Sequence, residues 1–122
     1  MLNKLSRKSQ VRSRLLMNLL TSLVLYEQIS TTEAKAKELK RVAQKFIHDI
    51  SSDDNNFNIV RLINKNVYGG ARKKAFDMRK VLGSVKMYKT TERVGDGCLQ
   101  VIVKLETKKE KKNEDKSTKT TK

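Results

Sequence analysis

The sequence lacks several residues on which catalytic and metal-binding sites depend. Its 122 residues include no proline, no tryptophan, one cysteine and one histidine. Because Cys98 has no second cysteine to pair with, an internal disulfide is excluded, which is typical of a reducing compartment. A zinc site needs several Cys or His ligands, and Gly69-Gly70 is not followed by the Lys-Ser or Lys-Thr of a phosphate-binding loop. We therefore expect no cofactor, no metal and no small-molecule substrate.

Catalysis and membrane insertion also find little support in the sequence. Asp53-Asp54 is a carboxylate pair with no nucleophile or acid beside it, so we expect a protein that is not an enzyme. The apolar stretch 15–26 is interrupted by polar residues and is shorter than the roughly 20 residues that span a bilayer. Cations precede this stretch as they do in a signal peptide, but no small-residue cleavage site follows it. We expect a cytoplasmic protein without a membrane partner.

Positive charge is the strongest feature of the chain. Twenty-eight Lys and Arg stand against thirteen Asp and Glu, which gives a net charge of +15. The last sixteen residues hold +4 of this charge, so +11 remains on residues 1–106. Such an excess destabilises a compact chain by self-repulsion unless an anionic partner neutralises it. Nucleic-acid phosphate and anionic membrane are the common partners, and with only three Tyr and three Phe, base stacking is not expected to dominate.

Four helices are predicted from apolar residues that recur at the helical period. Ser9 is the expected N-cap of the first helix. The second follows a short extended piece, 28–31, and begins either with Thr32 as N-cap or with Ser30 and Glu33 as a capping box. The fourth is expected to stop at Gly83. The predicted helices cover residues 9–26, 32–50, 57–66 and 71–82.

The apolar period changes from 3.6 to 2 after residue 84, which indicates strands. The predicted strands are 85–91 and 98–106, and Gly95-Asp96-Gly97 supplies the positive φ angles of a hairpin turn. The order of elements predicts an α+β fold of two layers. About four helices would pack on a small mixed or antiparallel sheet that ends in a C-terminal β-hairpin.

Three segments of different composition follow from these patterns. Residues 1–8 form a basic N-terminal arm without hydrophobic periodicity. Residues 9–106 are predicted to form a single α+β domain. Residues 107–122 carry seven Lys and no apolar residue, so they are expected to form a disordered tail.

Three groups of cations are candidate contacts to RNA. The first is the arm with the start of the first helix, where five cations precede Glu27, the first acid of the chain. The second surrounds the start of the second helix, where free backbone N–H groups attract anions. The third lies within residues 59–93, which hold ten cations and two acids. For each group, the alternative is a charged face in contact with solvent alone. The candidate RNA-binding residues are Lys4, Arg7, Lys8, Arg12, Arg14, Asn18, Thr31, Thr32, Lys35, Lys37, Lys40, Arg41, Arg72, Lys73, Lys86, Lys89 and Arg93.

Two parts of the chain resemble bacterial large-subunit ribosomal protein seventeen. The resemblance begins at Lys4-Leu5-Ser6-Arg7-Lys8-Ser9 and is most specific over residues 29–42, which open with Ile29-Ser30-Thr31-Thr32. Arg93-Val94-Gly95-Asp96 is similar to the family's Arg-x-Gly-Asp turn before its closing strand. The family's Met-Arg-His opening is absent, and residues 51–80 diverge too far for any residue role to be carried over. The matching single positions are Arg12, Asn18 and Leu23.

The resemblance implies a two-layer α+β fold and a structural, non-enzymatic place in the large ribosomal subunit. It also implies binding to ribosomal RNA, and to neighbouring ribosomal proteins on the side where the nascent-chain tunnel opens. Charge and size alone leave two other classes open. One is a nucleoid-type DNA-binding protein, although an extended piece between the first two helices does not suit a helix-turn-helix. The other is a membrane-surface protein, which would leave the apolar face of the first helix exposed.

Overall fold

The structure, a computed structural model, describes residues 3–52 and 56–107. Helices of this part of the chain pack on a three-stranded antiparallel sheet, which confirms the predicted α+β class. None of the described helices is long and apolar enough to cross a membrane. The elements in chain order are α1 (Ser9–Tyr26), β1 (Gln28–Thr32), α2 (Glu33–Ser52), α3 (Asn56–Asn66), α4 (Ala71–Met78), β2 (Leu82–Glu92) and β3 (Leu99–Thr107).

The first helix has the predicted bounds but a different N-cap. Ser9 lies within α1, and the N-cap is Lys8, which makes no capping hydrogen bond through its side chain. At the other end, Glu27 adopts a left-handed φ of 63°, and its N–H donates to the Leu23 carbonyl. This left-handed residue ends the helix and turns the chain directly into β1. The buried residues of α1 are Leu16, Leu20, Leu23 and Val24.

The second helix is the centre of the core. The apolar residues that recur at the helical period within the predicted helix 32–50 form one buried stripe. These residues are Ala36, Leu39, Ala43, Phe46, Ile47 and Ile50. The helix begins at Glu33, one residue after the predicted start, because Thr32 is the last residue of β1. It continues through Ser52, and α3 starts at Asn56, so both ends of the segment 51–56, which lies between two predicted helices, are helical.

The predicted extended piece 28–31 is a third strand of the sheet. β1 pairs antiparallel with β3, with Gln28 opposite Lys104 and Thr32 opposite Gln100. β3 lies between β1 and β2, so the sheet order is β1-β3-β2 and the pairing is antiparallel throughout. The sequence pattern could not give this pairing, because the partners lie far apart along the chain.

The fourth helix is shorter than predicted. α4 ends at Met78, and Leu82 and Gly83 belong to β2, where Leu82 pairs with Thr107 and is buried. Leu82 fits the helical spacing of the residues before it, but burial in the sheet takes precedence over local periodicity. Thr107 was predicted to begin the tail and instead ends β3.

Two predictions lie outside the described residues. The predicted disorder of the tail concerns residues 108–122, and Asp53-Asp54 falls in the short gap between α2 and α3.

Elements α1 to α4 and strands β2 and β3 all contribute to one continuous cluster of buried apolar residues. The division into an arm, one domain and a tail stays a prediction.

Candidate nucleic-acid interface

The described part of the N-terminal arm is a tight turn. Leu5 and Ser6 both have left-handed backbones, with φ angles of 53° and 51°. The Arg7 N–H donates to the Lys4 carbonyl over 3.1 Å and closes the turn. The side chains of Lys4, Arg7 and Lys8 are consequently exposed just ahead of α1.

A buried carboxylate on α2 holds the start of this turn. Glu38 is fully buried, and its Oε1 accepts a hydrogen bond of 2.7 Å from Asn3 Nδ2. Nη1 of the exposed Arg41 lies 3.6 Å from the same oxygen. Asn3 directly precedes the cations of the arm, and Arg41 belongs to the second predicted group. Glu38 therefore brings the first two groups of cations together.

The cations of the arm and of the start of α1 form no ion pair with any carboxylate in residues 3–52 and 56–107. Four of them are exposed, and Arg12 is half-buried. Asn18 is exposed one turn beyond Arg14. Because no ion pair with a described carboxylate has to break first, these side chains are available to donate charged hydrogen bonds to phosphate oxygens. The five cations are Lys4, Arg7, Lys8, Arg12 and Arg14.

The N-terminus of α2 already carries a carboxylate of the chain itself. Thr31 and Thr32 are half-buried at the end of β1, and Glu33 opens the helix. Oε1 of Glu33 lies 3.0 Å from Lys37 Nζ and 3.8 Å from Lys89 Nζ. The hydrogen bond from Lys37 and its charge lower the pKa of Glu33, and the charge of Lys89 adds to this. A carboxylate is favoured at this helix end, where a phosphate was predicted.

The remaining cations of the second group differ in their pairing. Lys35 and Lys40 are half-buried and form no ion pair with a carboxylate among the described residues. Lys37 pairs with Glu33, and Arg41 pairs with Glu38. Only part of this group is therefore free of internal ion pairs.

The members of the third predicted group lie on α4, on β2 and in the hairpin turn. Arg72 Nε donates to the Val67 carbonyl over 2.9 Å, and both Arg72 and Lys73 are exposed. Lys74 Nζ lies 2.8 Å from Glu27 Oε1, which places α4 beside the C-terminal end of α1. A helix rises about 1.5 Å per residue, so this end of α1 is about 25 Å from the arm.

The strand members of the third group contact one acid of the sheet and one acid at the start of α2. Lys86 Nζ lies 2.9 Å from Glu106 Oε1, and Ser84 Oγ donates to Glu106 Oε2 over 3.1 Å. Glu106 is only 4% exposed, so these contacts satisfy a buried carboxylate. Lys89 extends toward Glu33 at the start of α2. The sheet therefore uses both lysines in internal ion pairs.

The hairpin turn has the predicted geometry, but its arginine is occupied. Gly95 and Gly97 have positive φ angles of 119° and 61°, which favour glycine. Arg93 donates to both carboxylate oxygens of Asp96, and the Cys98 N–H donates to Asp96 Oδ1 over 3.2 Å. These hydrogen bonds, led by those from Arg93, lower the pKa of Asp96 to about 2. Arg93 thus stabilises the turn through its guanidinium.

Sequence reasoning missed the residues that organise these cations. The sequence patterns assign no role to Asn3, Glu38 or Glu106. Among the described residues, however, Glu38 and Glu106 are the charged side chains that are buried. A signal for Glu38 was present, because it lies one turn before Val42 at the edge of the apolar stripe of α2. No group of three metal-ligating side chains occurs in residues 3–52 and 56–107.

Comparison with known proteins identifies the family to which this chain belongs. The sequence model described as Ribosomal protein L17 matches residues 15–114 of the chain. The chain belongs to the ribosomal protein L17 family. A protein of Elusimicrobium minutum named large ribosomal subunit protein bL17 is 31% identical over 108 residues, which cover 84% of this chain and 91% of that protein. The bL17 of Lacticaseibacillus casei is 32% identical over 124 residues, covering 84% of this chain and 96% of that protein.

A shorter region is more similar to another L17 relative. The bL17 of Caldanaerobacter subterraneus subsp. tengcongensis is 50% identical over 44 residues, which cover 36% of this chain and 39% of that protein. Membership of the L17 family confirms the family predicted from the sequence. Proteins of the L17 family are structural components of the cytoplasmic ribosome and not enzymes. The role of each candidate RNA-binding residue stays a prediction.

Proposed function

We propose that this chain is a structural protein of the large ribosomal subunit and binds ribosomal RNA by neutralising phosphates that would otherwise repel one another. The main contacts come from the arm, the start of α1 and the start of α2. The observation that carries the proposal is the set of arm cations that no carboxylate in the described residues faces. Two bL17 relatives that align with 84% of this chain are named as large-subunit proteins, which supports the same placement.

The arm is held in place before RNA binds. Asn3 is fixed to the buried Glu38, and the two left-handed residues that follow define the turn. A turn that is already ordered loses less conformational entropy when its side chains engage phosphates. The arm therefore acts as a preformed clamp rather than as a loose basic segment.

Recognition is expected to depend on RNA shape and backbone more than on base sequence. A-form RNA hides base edges in a deep, narrow major groove that side chains cannot read. Lysine and arginine contacts to phosphate fix position without selecting bases. The partners proposed are large-subunit ribosomal RNA and neighbouring proteins near the nascent-chain tunnel exit, in the cytoplasm.

Salt dependence tests the phosphate-clamp mechanism. The full chain would be titrated against large-subunit ribosomal RNA at several salt concentrations, with duplex DNA of equal length as competitor. Each neutralised phosphate releases counterions, so the logarithm of the binding constant should fall linearly with the logarithm of salt concentration. RNA should compete better than DNA. Equal competition by duplex DNA would favour the nucleoid-type alternative instead.

A further inference from the structure

A groove of about 270 Å³ lies between α2 and α3, and the proposed function uses none of its residues. Counted from Val42 and from Leu62, the contributing residues recur at intervals of three and four positions, so those of each helix lie on one face. The groove runs between these two facing stripes. Its lining residues are Val42, Lys45, Phe46, Asp49, Leu62, Lys65 and Asn66.

The floor of the groove is apolar and small. Phe46 is buried, and the half-buried Val42 and Leu62 pack against the core. Sites for drug-sized ligands occupy roughly 300–1,000 Å³, so this groove is just below that range. Its size suits one flat ring system rather than a helix or strand of another chain.

The rim carries two cations and two acceptors. Lys45 and Lys65 are exposed, and neither forms an ion pair with a carboxylate among the described residues, although Asp49 is one turn from Lys45. Asn66 Nδ2 donates to the Leu62 carbonyl over 2.9 Å, which leaves Asn66 Oδ1 as an acceptor. An occupant therefore needs an anionic group for the lysines and N–H donors for Asp49 and Asn66.

We propose that the groove between α2 and α3 binds one unstacked RNA nucleotide whose base carries an exocyclic amino group. The ring covers the apolar floor, the amino group donates to Asp49, and the phosphate lies between Lys45 and Lys65. Carboxylates accept from the amino group of cytosine in this way, and RNA is read through bases splayed out of the helix. The inference rests on the proposed function, that the chain binds ribosomal RNA.

A neighbouring groove of similar size lacks the charged residues of the α2–α3 groove. It lies between α2 and the start of β2, has a volume of about 360 Å³, and has no Lys, Arg, Asp or Glu among its lining residues. That groove has no lysine or arginine to complement a phosphate. An acidic peptide would satisfy the two lysines of the α2–α3 groove but would leave its ring-sized floor unfilled.

Mononucleotides test the inference, because they carry one phosphate and so isolate the groove from extended backbone contacts. The ¹⁵N-labelled full chain would be titrated with cytidine 5′-monophosphate and with uridine 5′-monophosphate, which lacks the amino group. Cytidine monophosphate should shift the amide resonances of the groove residues and bind more tightly by about fivefold or more, the lower range for a base-edge contact.

Variants assign each part of the nucleotide to its contact. Asp49→Ala should bring the two affinities together. The double variant Lys45→Ala/Lys65→Ala should weaken both nucleotides equally, because both carry the same phosphate. Lys80→Ala removes an exposed lysine outside the groove and should leave both affinities unchanged.

Equal affinity for the two nucleotides, or shifts confined to other residues, would overturn the inference. Shifts of the groove amides by an oligoglutamate peptide but not by cytidine monophosphate would also overturn it. Binding to large-subunit ribosomal RNA, measured on the same preparation, separates this failure from that of the proposed function. A chain that binds this RNA without nucleotide in the groove contradicts the inference alone, whereas a chain that does not bind the RNA contradicts both.

Discussion

The cations of the N-terminal region and those of the hairpin region differ in whether a carboxylate of the described residues lies beside them. Within the described residues, the five cations of residues 4–14 form no ion pair with a carboxylate. In the hairpin region, Lys86, Lys89 and Arg93 each lie within ion-pair distance of Glu106, Glu33 and Asp96, respectively. A count of charges along the sequence makes the two regions look equally suited to RNA. We therefore propose that the first region contributes more to phosphate binding, and that the second contributes more to the stability of the fold.

The largest expected effect is on the salt dependence of RNA binding, and it should differ between the two regions. Arg7→Ala/Lys8→Ala and Lys89→Ala/Arg93→Ala each remove two positive charges. The first double variant should make the plot of log binding constant against log salt shallower by about two, because each lost phosphate contact changes the slope by about one. The second should change the slope little. Similar slopes for both variants, measured by titration with large-subunit ribosomal RNA, would show that pairing does not decide which cations bind.

The next effect concerns stability in the hairpin region. Glu106→Ala removes the buried acceptor of Ser84 and Lys86, and losing such hydrogen bonds costs about 1–3 kcal/mol. The free energy of unfolding, measured in urea, should fall by this amount, while the affinity for RNA of the folded protein stays unchanged. A fall in RNA affinity without loss of stability would assign Glu106 to the interface instead.

A smaller effect on RNA affinity is expected from the contact between Asn3 and Glu38, which holds the arm. Asn3→Ala removes the hydrogen bond to Glu38 but deletes no buried apolar atoms, because Asn3 is exposed. The affinity for RNA should fall roughly threefold to tenfold, since ordering each side chain of the freed arm costs about 0.5–1.5 kcal/mol. Glu38→Ala should reproduce this loss in filter-binding assays. If Asn3→Ala binds RNA as tightly as the unchanged chain, the arm does not need its anchor.

The smallest effect is local to the hairpin turn. The pKa of Asp96 is lowered from 3.8 to about 2, with the hydrogen bonds from Arg93 as the main cause. Because this pKa is depressed, the contribution of Asp96 to stability is complete above pH 3.8 and is lost as the pH falls through about 2. An NMR titration of the Asp96 carboxyl should have its midpoint near this value. In Arg93→Ala the midpoint should rise toward 3.8, and an unchanged midpoint would remove Arg93 as the cause.

The sequence predicts those parts of the fold that depend on local patterns. The apolar stripe from Ala36 to Ile50 identifies α2, and the glycines around Asp96 identify the hairpin turn. The pairing of β1 with β3 was missed, because no local pattern records a contact between segments so far apart. Leu82 was assigned to a helix because it continues a helical spacing, although it is buried in the sheet.

The candidate site was predictable as a set of cations but not as a surface. Composition and spacing identify Lys4, Arg7 and Lys89 equally well, since each is a basic residue in a basic stretch. Only the three-dimensional structure places Lys89 beside Glu33 and leaves the other two without such a partner among the described residues. The role of Glu38 also required the structure, because its contact with Asn3 joins two separate elements.

Sedimentation decides whether this chain is an integral protein of the large ribosomal subunit. Lysate would be washed at high salt and separated on a sucrose gradient, and this chain would then be quantified against the large subunit. This chain is expected to be retained stoichiometrically in the large-subunit peak. Absence from that peak, or loss of the chain at modest salt, would contradict the claim.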